Sequence, residues 1–278
     1  MKRTALRRCL VVLLALVFLG SAGMLLYSRI QYREGDSAYA EAEELVELPD
    51  LTQLPEEPEA ELAPEQSQEE LPQEPSGEPV YVDPYADALQ NMDFAALQEV
   101  NSDVLGWILI PDTQISYPLL QGTDNEYYLS HTWKKSSSAV GSIFLECRSS
   151  SGFGDFNTIV YGHRMNNGSM FASLKYYSKQ SYWEAHPRVY IMSDAGIYLY
   201  DIFSAYEAGV TEDTYRLSFA DDEEKQAFLD FCVSQSVLRT GIVPTVEDHI
   251  LTLSTCTGRG HETRWVVQAV RVDSSSNS

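Results

Sequence analysis

The chain has 278 residues, 44% of them hydrophobic, and its 19 basic and 41 acidic side chains leave a formal charge of −22, which excludes a protein that grips nucleic acid through its phosphates. The charge is unevenly spread: residues 1–33 carry six basic and no acidic groups, residues 34–90 no basic and 18 acidic, and residues 91–278 carry 13 basic and 23 acidic. Only the last of these has the composition and length of an ordinary folded domain.

Lys2, Arg3, Arg7 and Arg8 precede an uncharged stretch from Cys9 to Ser28 that is rich in Leu and Val, and Arg29 and Arg33 follow it. At about 1.5 Å per residue, a helix of this length crosses a hydrocarbon core of about 30 Å. The small residues Gly20, Ser21, Ala22 and Gly23 suit a cleaved signal peptide. The apolar run continues past them through Met24 to Tyr27, which favours an uncleaved anchor over residues 1–33. The leading basic cluster then puts the N-terminus in the cytoplasm and the rest of the chain outside the cell, although Arg29 and Arg33 weaken the asymmetry. Residues 34–80 are rich in Glu, Pro, Gln and Ser, as in Leu54-Pro-Glu-Glu-Pro-Glu. Like charges repel and prolines remove donors, so the segment is expected to be a disordered spacer, about 40 Å end to end if flexible. It either lifts the domain from the membrane or only keeps the chain in solution.

The folded domain is expected over residues 81–278. Asp83 before Pro84, and Asp93 before Phe94, are N-cap signals for short helices at its entry. Eight short runs of strand character follow, separated by Gly, Pro, Asn and Asp: 104–110, 115–120, 142–145, 158–161, 189–193, 197–206, 250–254 and 265–272. Such spacing predicts a closed barrel or sandwich. Two helical insertions are expected, a short one over 170–177 and a longer one capped by Asp221 or Asp222. On the longer one, Phe228, Phe231, Cys232 and Gln235 share a side.

Each of the four cysteines has its own setting. Cys9 is a small hydrophobe within the anchor, and Cys232 belongs to the buried side of the long helix. Cys147 follows a strand and could be surface, core, or a disulfide partner of Cys232. Cys256 closes the apolar strand Ile250-Leu-Thr-Leu-Ser-Thr-Cys256 and runs straight into a Gly-containing polar loop, where a thiol is half exposed, as a reactive cysteine must be. His163 similarly ends Asn157-Thr-Ile-Val-Tyr-Gly-His163, whereas His131, His186 and His249 stand in polar, loop-like surroundings. A thiol and an imidazole on two strand ends supply a nucleophile and a proton donor for acyl transfer. Arg264, opening the next strand, offers a cation for the oxyanion; Arg259 is nearer in sequence and is a rival.

Thr252-Leu-Ser-Thr-Cys256 with a following Arg resembles the signature of sortases, the membrane-anchored cysteine transpeptidases of Gram-positive bacteria. Val104-Leu-Gly-Trp-Ile, Tyr117-Pro-Leu, Asp124-Asn-Glu-Tyr-Tyr-Leu129, Gly141-Ser-Ile-Phe-Leu145, Tyr161-Gly-His163 and Gly168-Ser-Met-Phe171 are similar to class B members in order and spacing. The resemblance covers residues 91–272. It implies a mainly β fold with helices (α+β): an eight-stranded sortase β-barrel with N-terminal helices and a long helix before the last two strands. It implies Cys256 as nucleophile, His163 as acid/base and Arg264 as stabiliser of the tetrahedral intermediate, preferred over Arg259 because it precedes an apolar strand as in the family. Asn125, Leu129 and Ser254 match positions that line the substrate groove.

The implied reaction cleaves a C-terminal sorting signal after Thr, leaves a thioester on Cys256 and passes it to an amine of peptidoglycan precursor or cell-wall peptide. The implied partners are secreted proteins bearing that signal, and the implied location is the cell membrane, spanned once. Alternatives are a pilin-polymerising sortase, a secreted cysteine peptidase, or a surface module that binds without turnover. The sequence offers no metal-ligand cluster or phosphate loop, so no cofactor is expected. With ordinary values near 8.5 for the thiol and 6.5 for the imidazole, only about 1% of molecules at neutral pH hold the reactive thiolate–imidazolium pair.

Overall fold

A computed structural model describes residues 2–46, 84–90, 92–258, 260 and 262–272. The eight expected strand runs all form: β1 (Val104–Leu109), β2 (Ser116–Leu120), β3 (Ile143–Leu145), β4 (Asn157–Tyr161), β5 (Arg188–Ser193), β6 (Gly196–Gly209), β7 (Ile250–Cys256) and β8 (Thr263–Arg271). They close into a barrel in the order β1-β2-β3-β4-β7-β8-β6-β5. Hairpin-linked neighbours such as β5 and β6 pair antiparallel, whereas β2–β3 and β4–β7 pair parallel, because their connections must carry the chain back along the barrel.

Alternation along each strand divides the residues between two environments. Leu251 and Leu253 of β7, with Val267 and Ala269 of β8, point into the barrel and join a core containing Trp107, Ile143, Val160, Phe171 and Ile191. Ile250 and Val270 point outward and are covered by Phe203, Phe228, Leu229 and Cys232. The last three come from the helix Asp222–Gln235, labelled α5 below, so the insertion between β6 and β7 roofs the outer face of the sheet. Asp221 is its N-cap, accepting from the Glu224 amide, and Asp222, Glu223 and Glu224 complement the positive helix end. Phe228 and Cys232 are buried as expected, joined by Leu229; Phe231 is only half-buried, and Gln235, the last helical residue, is exposed.

The entry helices are α2 (Pro84–Leu89) and α3 (Phe94–Val100), the latter capped by Asp93, whose carboxylate accepts from the Ala95 amide at 2.9 Å. The proposed cap Asp83 lies outside the described residues. The insertion expected over 170–177 is a 3-10 helix, Phe171–Ser178, and a short helix that the sequence pattern did not reveal, α4 (Gln180–Ala185), follows it.

The largest departure concerns the start of the chain. Helix α1 spans Lys2–Leu45 without a break, so residues 34–46, expected to open a disordered spacer, fold instead. The rest of that expected segment, 47–80, lies outside the described residues. Within α1, Val12 to Tyr27 expose their apolar side chains, and the helix is long and apolar enough to cross a membrane. Beyond that stretch the same helix turns Gly35, Tyr39 and Ala42, with Val46 just past its end, into buried positions against the barrel. The acidic side chains around them do not prevent this, because residues at i, i+4, i+7 and i+11 share one face of a helix.

Candidate active site

Cys256 is the last residue of β7 and lies directly across from Arg264 in the antiparallel β7–β8 pair. Directly opposed residues project to the same face, which for this pair is the outer one. Along that face of β7, Ile250 is covered by α5, Thr252 bonds to Asn157 and Gln268, and Ser254 shares a 3.0 Å hydrogen bond with the Tyr215 hydroxyl. Cys256 comes next, where that row of partners ends, and it is half-buried. The roof is fastened locally: Asn157 donates to the carbonyls of Thr214 and Arg216, at 3.2 and 2.8 Å.

His163 reaches the sulfur through the parallel pairing of β4 with β7. Tyr161 is in register with Ser254, and the Gly162 amide donates to the Ser254 carbonyl at 3.2 Å. Two residues beyond that pair stand His163, just past the end of β4, and Cys256, the last residue of β7, near enough for hydrogen bonding between imidazole and thiol to shift both ionisations. His163 Nε2 also lies 2.6 Å from the Leu129 carbonyl oxygen. A carbonyl can only accept, so Nε2 carries a proton, which leaves Nδ1 as the nitrogen whose protonation changes. The loop after Cys256 is held at its base by a 3.0 Å bond between the hydroxyls of Thr257 and Thr263. Arg164 Nη1 donates to the Thr257 carbonyl and so ties the two strand ends together.

These contacts move both ionisations in useful directions. The hydrogen bond from His163 pulls the Cys256 thiol below its ordinary value, aided by the charges of Arg264, His163 and Arg164 and opposed by burial. The same bond raises His163 above the ordinary imidazole value, with help from the Leu129 carbonyl and the sulfur, against burial and Arg264. A lowered thiol and a raised imidazole enlarge the thiolate–imidazolium share beyond the fraction that ordinary values allow.

Among the other sequence candidates, Leu129 borders the site: its carbonyl holds His163 and its side chain is 41% exposed. Ser254 is 3% exposed and held under Tyr215. Asn125 is committed elsewhere: its amide donates to Glu146 at 2.6 Å and its oxygen accepts from the Cys147 amide at 2.8 Å. Arg259, the rival of Arg264, lies outside the described residues. Cys147, Cys232 and Cys256 are all free thiols; Cys232 is buried beneath α5, where desolvation raises it to about 11, and Cys147 is likewise raised, by desolvation and the neighbouring Glu146 carboxylate. Among the described residues no cluster of His, Cys, Asp and Glu could hold a metal ion.

Sequence reasoning missed several contributors. Arg164 is adjacent to His163 in sequence, and that adjacency was the available signal. Gly141 (φ +64°) packs against the imidazole: a Cβ there would lie 2.8 Å from His163 Cδ2 and 2.9 Å from the Leu129 oxygen. Glu146 is 1% exposed. Burial pushes its carboxyl up, but hydrogen bonds from Arg148, Tyr161 and Asn125 outweigh that and hold it below the usual range.

A sequence profile for the sortase domain matches residues 108–272. Sortase B of Listeria monocytogenes is 41% identical over 162 residues, which span 58% of this chain and 65% of that protein, slightly under two thirds of its length. Sortase B of Staphylococcus aureus is 36% identical over 170 residues, 61% of this chain and 70% of its own. The solved Staphylococcus aureus sortase B–substrate complex superimposes with a TM-score of 0.62 at 35% identity, covering 66% of this chain and 85% of that one.

Proposed function

The chain belongs to the sortase family, in its class B, and we propose from this that it is a cysteine transpeptidase that anchors secreted proteins to the cell wall. The supporting observation is the outer-face cluster: a half-buried Cys256 beside His163, whose imidazole lowers the thiol, with Arg264 directly across the strand pair. The substrate is a protein ending in a sorting signal, cleaved after Thr; that the Staphylococcus aureus relative has been solved as a substrate complex supports substrate binding by this fold.

Cys256 thiolate attacks the Thr carbonyl carbon, and the negative charge that develops on the oxygen is met by the Arg264 guanidinium. Collapse of the tetrahedral intermediate breaks the C–N bond, and the imidazolium of His163 supplies the proton that the departing amine requires. A thioester remains. An amine of peptidoglycan precursor or cell-wall peptide then attacks it, neutral His163 takes the surplus proton, and the sulfur leaves as thiolate. We read Leu129, with the half-buried Asn125 and with Ser254 beneath the surface, as the border of the peptide's path, although Asn125 is engaged by Glu146 and Cys147. The apolar part of α1 spans the cell membrane once, with the N-terminus in the cytoplasm and the barrel outside.

The test incubates the full-length protein, in detergent micelles, with a sorting-signal peptide library and follows the mass of the Cys256 peptide. An acyl adduct that forms on Cys256, survives Cys147→Ala and Cys232→Ala, and disappears in Cys256→Ala and His163→Ala is the expected result. Added amine should release a ligated product. An adduct persisting in Cys256→Ala overturns the assignment, and release by water alone in the presence of amine marks a peptidase instead.

A further inference from the structure

The buried half of α1 lies against the loops that hold His163. The Tyr39 hydroxyl donates to the Gly141 carbonyl at 2.5 Å, and the neighbouring Ser142 amide donates to the Tyr128 carbonyl at 2.9 Å. Gly141 in turn packs against the His163 ring and the Leu129 oxygen that binds it. The residue has no side chain to yield, so any movement of its backbone is passed directly to the imidazole.

Tyr39 also touches the other side of the His163 loop. Its ring meets Tyr117 edge-on at 5.3 Å, and the Tyr117 hydroxyl accepts from the Met170 amide at 2.9 Å. The next residue, Phe171, donates its amide to the His163 carbonyl at 2.9 Å. One side chain of α1 therefore braces both the imidazole and the backbone of the same histidine.

The seat of the helix is built for this contact. Trp133 Nε1 donates to the Ala38 carbonyl at 2.6 Å, and Lys134 pairs with Glu41 at 2.7 Å. Gly35 lets the helix come close to Val140, since a Cβ there would lie 2.7 Å from Val140 Cγ2. A mid-helix glycine costs roughly 0.5–1 kcal/mol relative to alanine, so the close approach, and not helix propensity, accounts for it.

We propose that residues 31–45 of α1 form a juxtamembrane brace for the catalytic histidine, with Tyr39 as a positioning residue that acts on His163 through Gly141. The brace joins the membrane-crossing helix to the reacting groups in one rigid element, so that seating of the anchor helix sets the competence of the active site. The inference rests on the reading of His163 as the acid/base.

The test compares full-length wild type, Tyr39→Phe, Gly35→Leu and His163→Ala in detergent micelles. Iodoacetamide labelling of Cys256 is followed by peptide mass mapping as a function of pH, beside thermal denaturation. Tyr39→Phe should keep a cooperative transition, shift the pH midpoint of Cys256 labelling upward toward that of His163→Ala, and slow labelling at neutral pH about two- to tenfold, the worth of one hydrogen bond. Gly35→Leu, which unseats the helix without touching the barrel's polar contacts, should shift it in the same direction. Labelling profiles of both variants that superimpose on wild type overturn the brace, even where the melting temperature falls, because that outcome marks a purely structural contact. If Tyr39→Phe does not fold, Gly35→Leu alone decides. A His163→Ala profile identical to wild type would instead remove the acid/base reading, and the brace with it.

Discussion

Gly141→Ala perturbs the candidate site at one point with a worked geometry. Gly141 has φ +64°, so alanine there carries a left-handed backbone cost of about 1–2 kcal/mol. The new methyl would also stand 2.7 Å from the Tyr128 oxygen, 2.8 Å from His163 Cδ2 and 2.9 Å from the Leu129 oxygen. Two of these neighbours are backbone and cannot swing aside, which adds the roughly 1–3 kcal/mol typical of overpacking. Gly196→Ala is the matched control: its φ is +126° but nothing lies within 4 Å of the added methyl, in the hairpin between β5 and β6. Both variants should melt lower, by about 2–4 °C for each kcal/mol lost. Only Gly141→Ala should move the imidazole, and displacements approaching 1 Å cost about 10² in rate. Thioester formation with a sorting-signal peptide, measured well below both transitions, should fall about ten- to a hundredfold in Gly141→Ala and stay within about twofold of wild type in Gly196→Ala. Equal activity in the two variants after correction for folded fraction would refute the claim that this contact positions His163.

Arg264→Ala should lower thioester formation by about 10²–10³, and Arg264→Lys should restore only part of it, because an ammonium lacks the planar fork of donors; full activity in the alanine variant would return the role to Arg259. The pH behaviour has a definite sign. Cys256 is depressed, so its contribution to stability is present above the unfolded thiol value and is lost as pH falls through the folded one; His163 is raised, so its contribution is present below the unfolded imidazole value and is lost as pH rises through the folded one. His163→Gln should therefore shift the pH midpoint of Cys256 alkylation upward, and an unchanged midpoint would show that the bond does not govern the thiol. Glu146, held below the usual carboxyl range, stabilises the fold above its unfolded value and loses that contribution as pH falls through the folded one. Glu146→Gln should accordingly flatten the acid limb of a denaturation-midpoint profile, whereas a parallel displacement at all pH values would mean only lost packing.

Much of the barrel was legible because strands and caps are local signals. The run from Ile250 to Cys256 alternates between the apolar barrel core and the roofed outer face, and the carboxylates of Asp93 and Asp221 sit just where orphan helix amides require an acceptor. The chemistry of Cys256 and His163 was legible for the same reason: one ends a strand, the other stands two residues past the end of one, and both enter an irregular polar segment. The helical α1 extension was present in the spacing of Gly35, Tyr39, Ala42 and Val46, but a composition of acids and few hydrophobes concealed it. Such a stripe is too narrow to fold alone and acquires its meaning from the surface of Trp133, Val140 and Tyr117 that receives it.

The sequence by itself thus determined the strands, the caps and the residue types able to react, since each depends on neighbours within a few positions. Only the tertiary structure decided that β4 lies parallel to β7, which brings His163 beside Cys256 across 93 residues of chain, and that the Leu129 carbonyl and Gly141 fix the imidazole's orientation. Those facts arise from barrel closure, where strands distant in sequence become hydrogen-bonded neighbours, and no short-range pattern encodes which strand meets which.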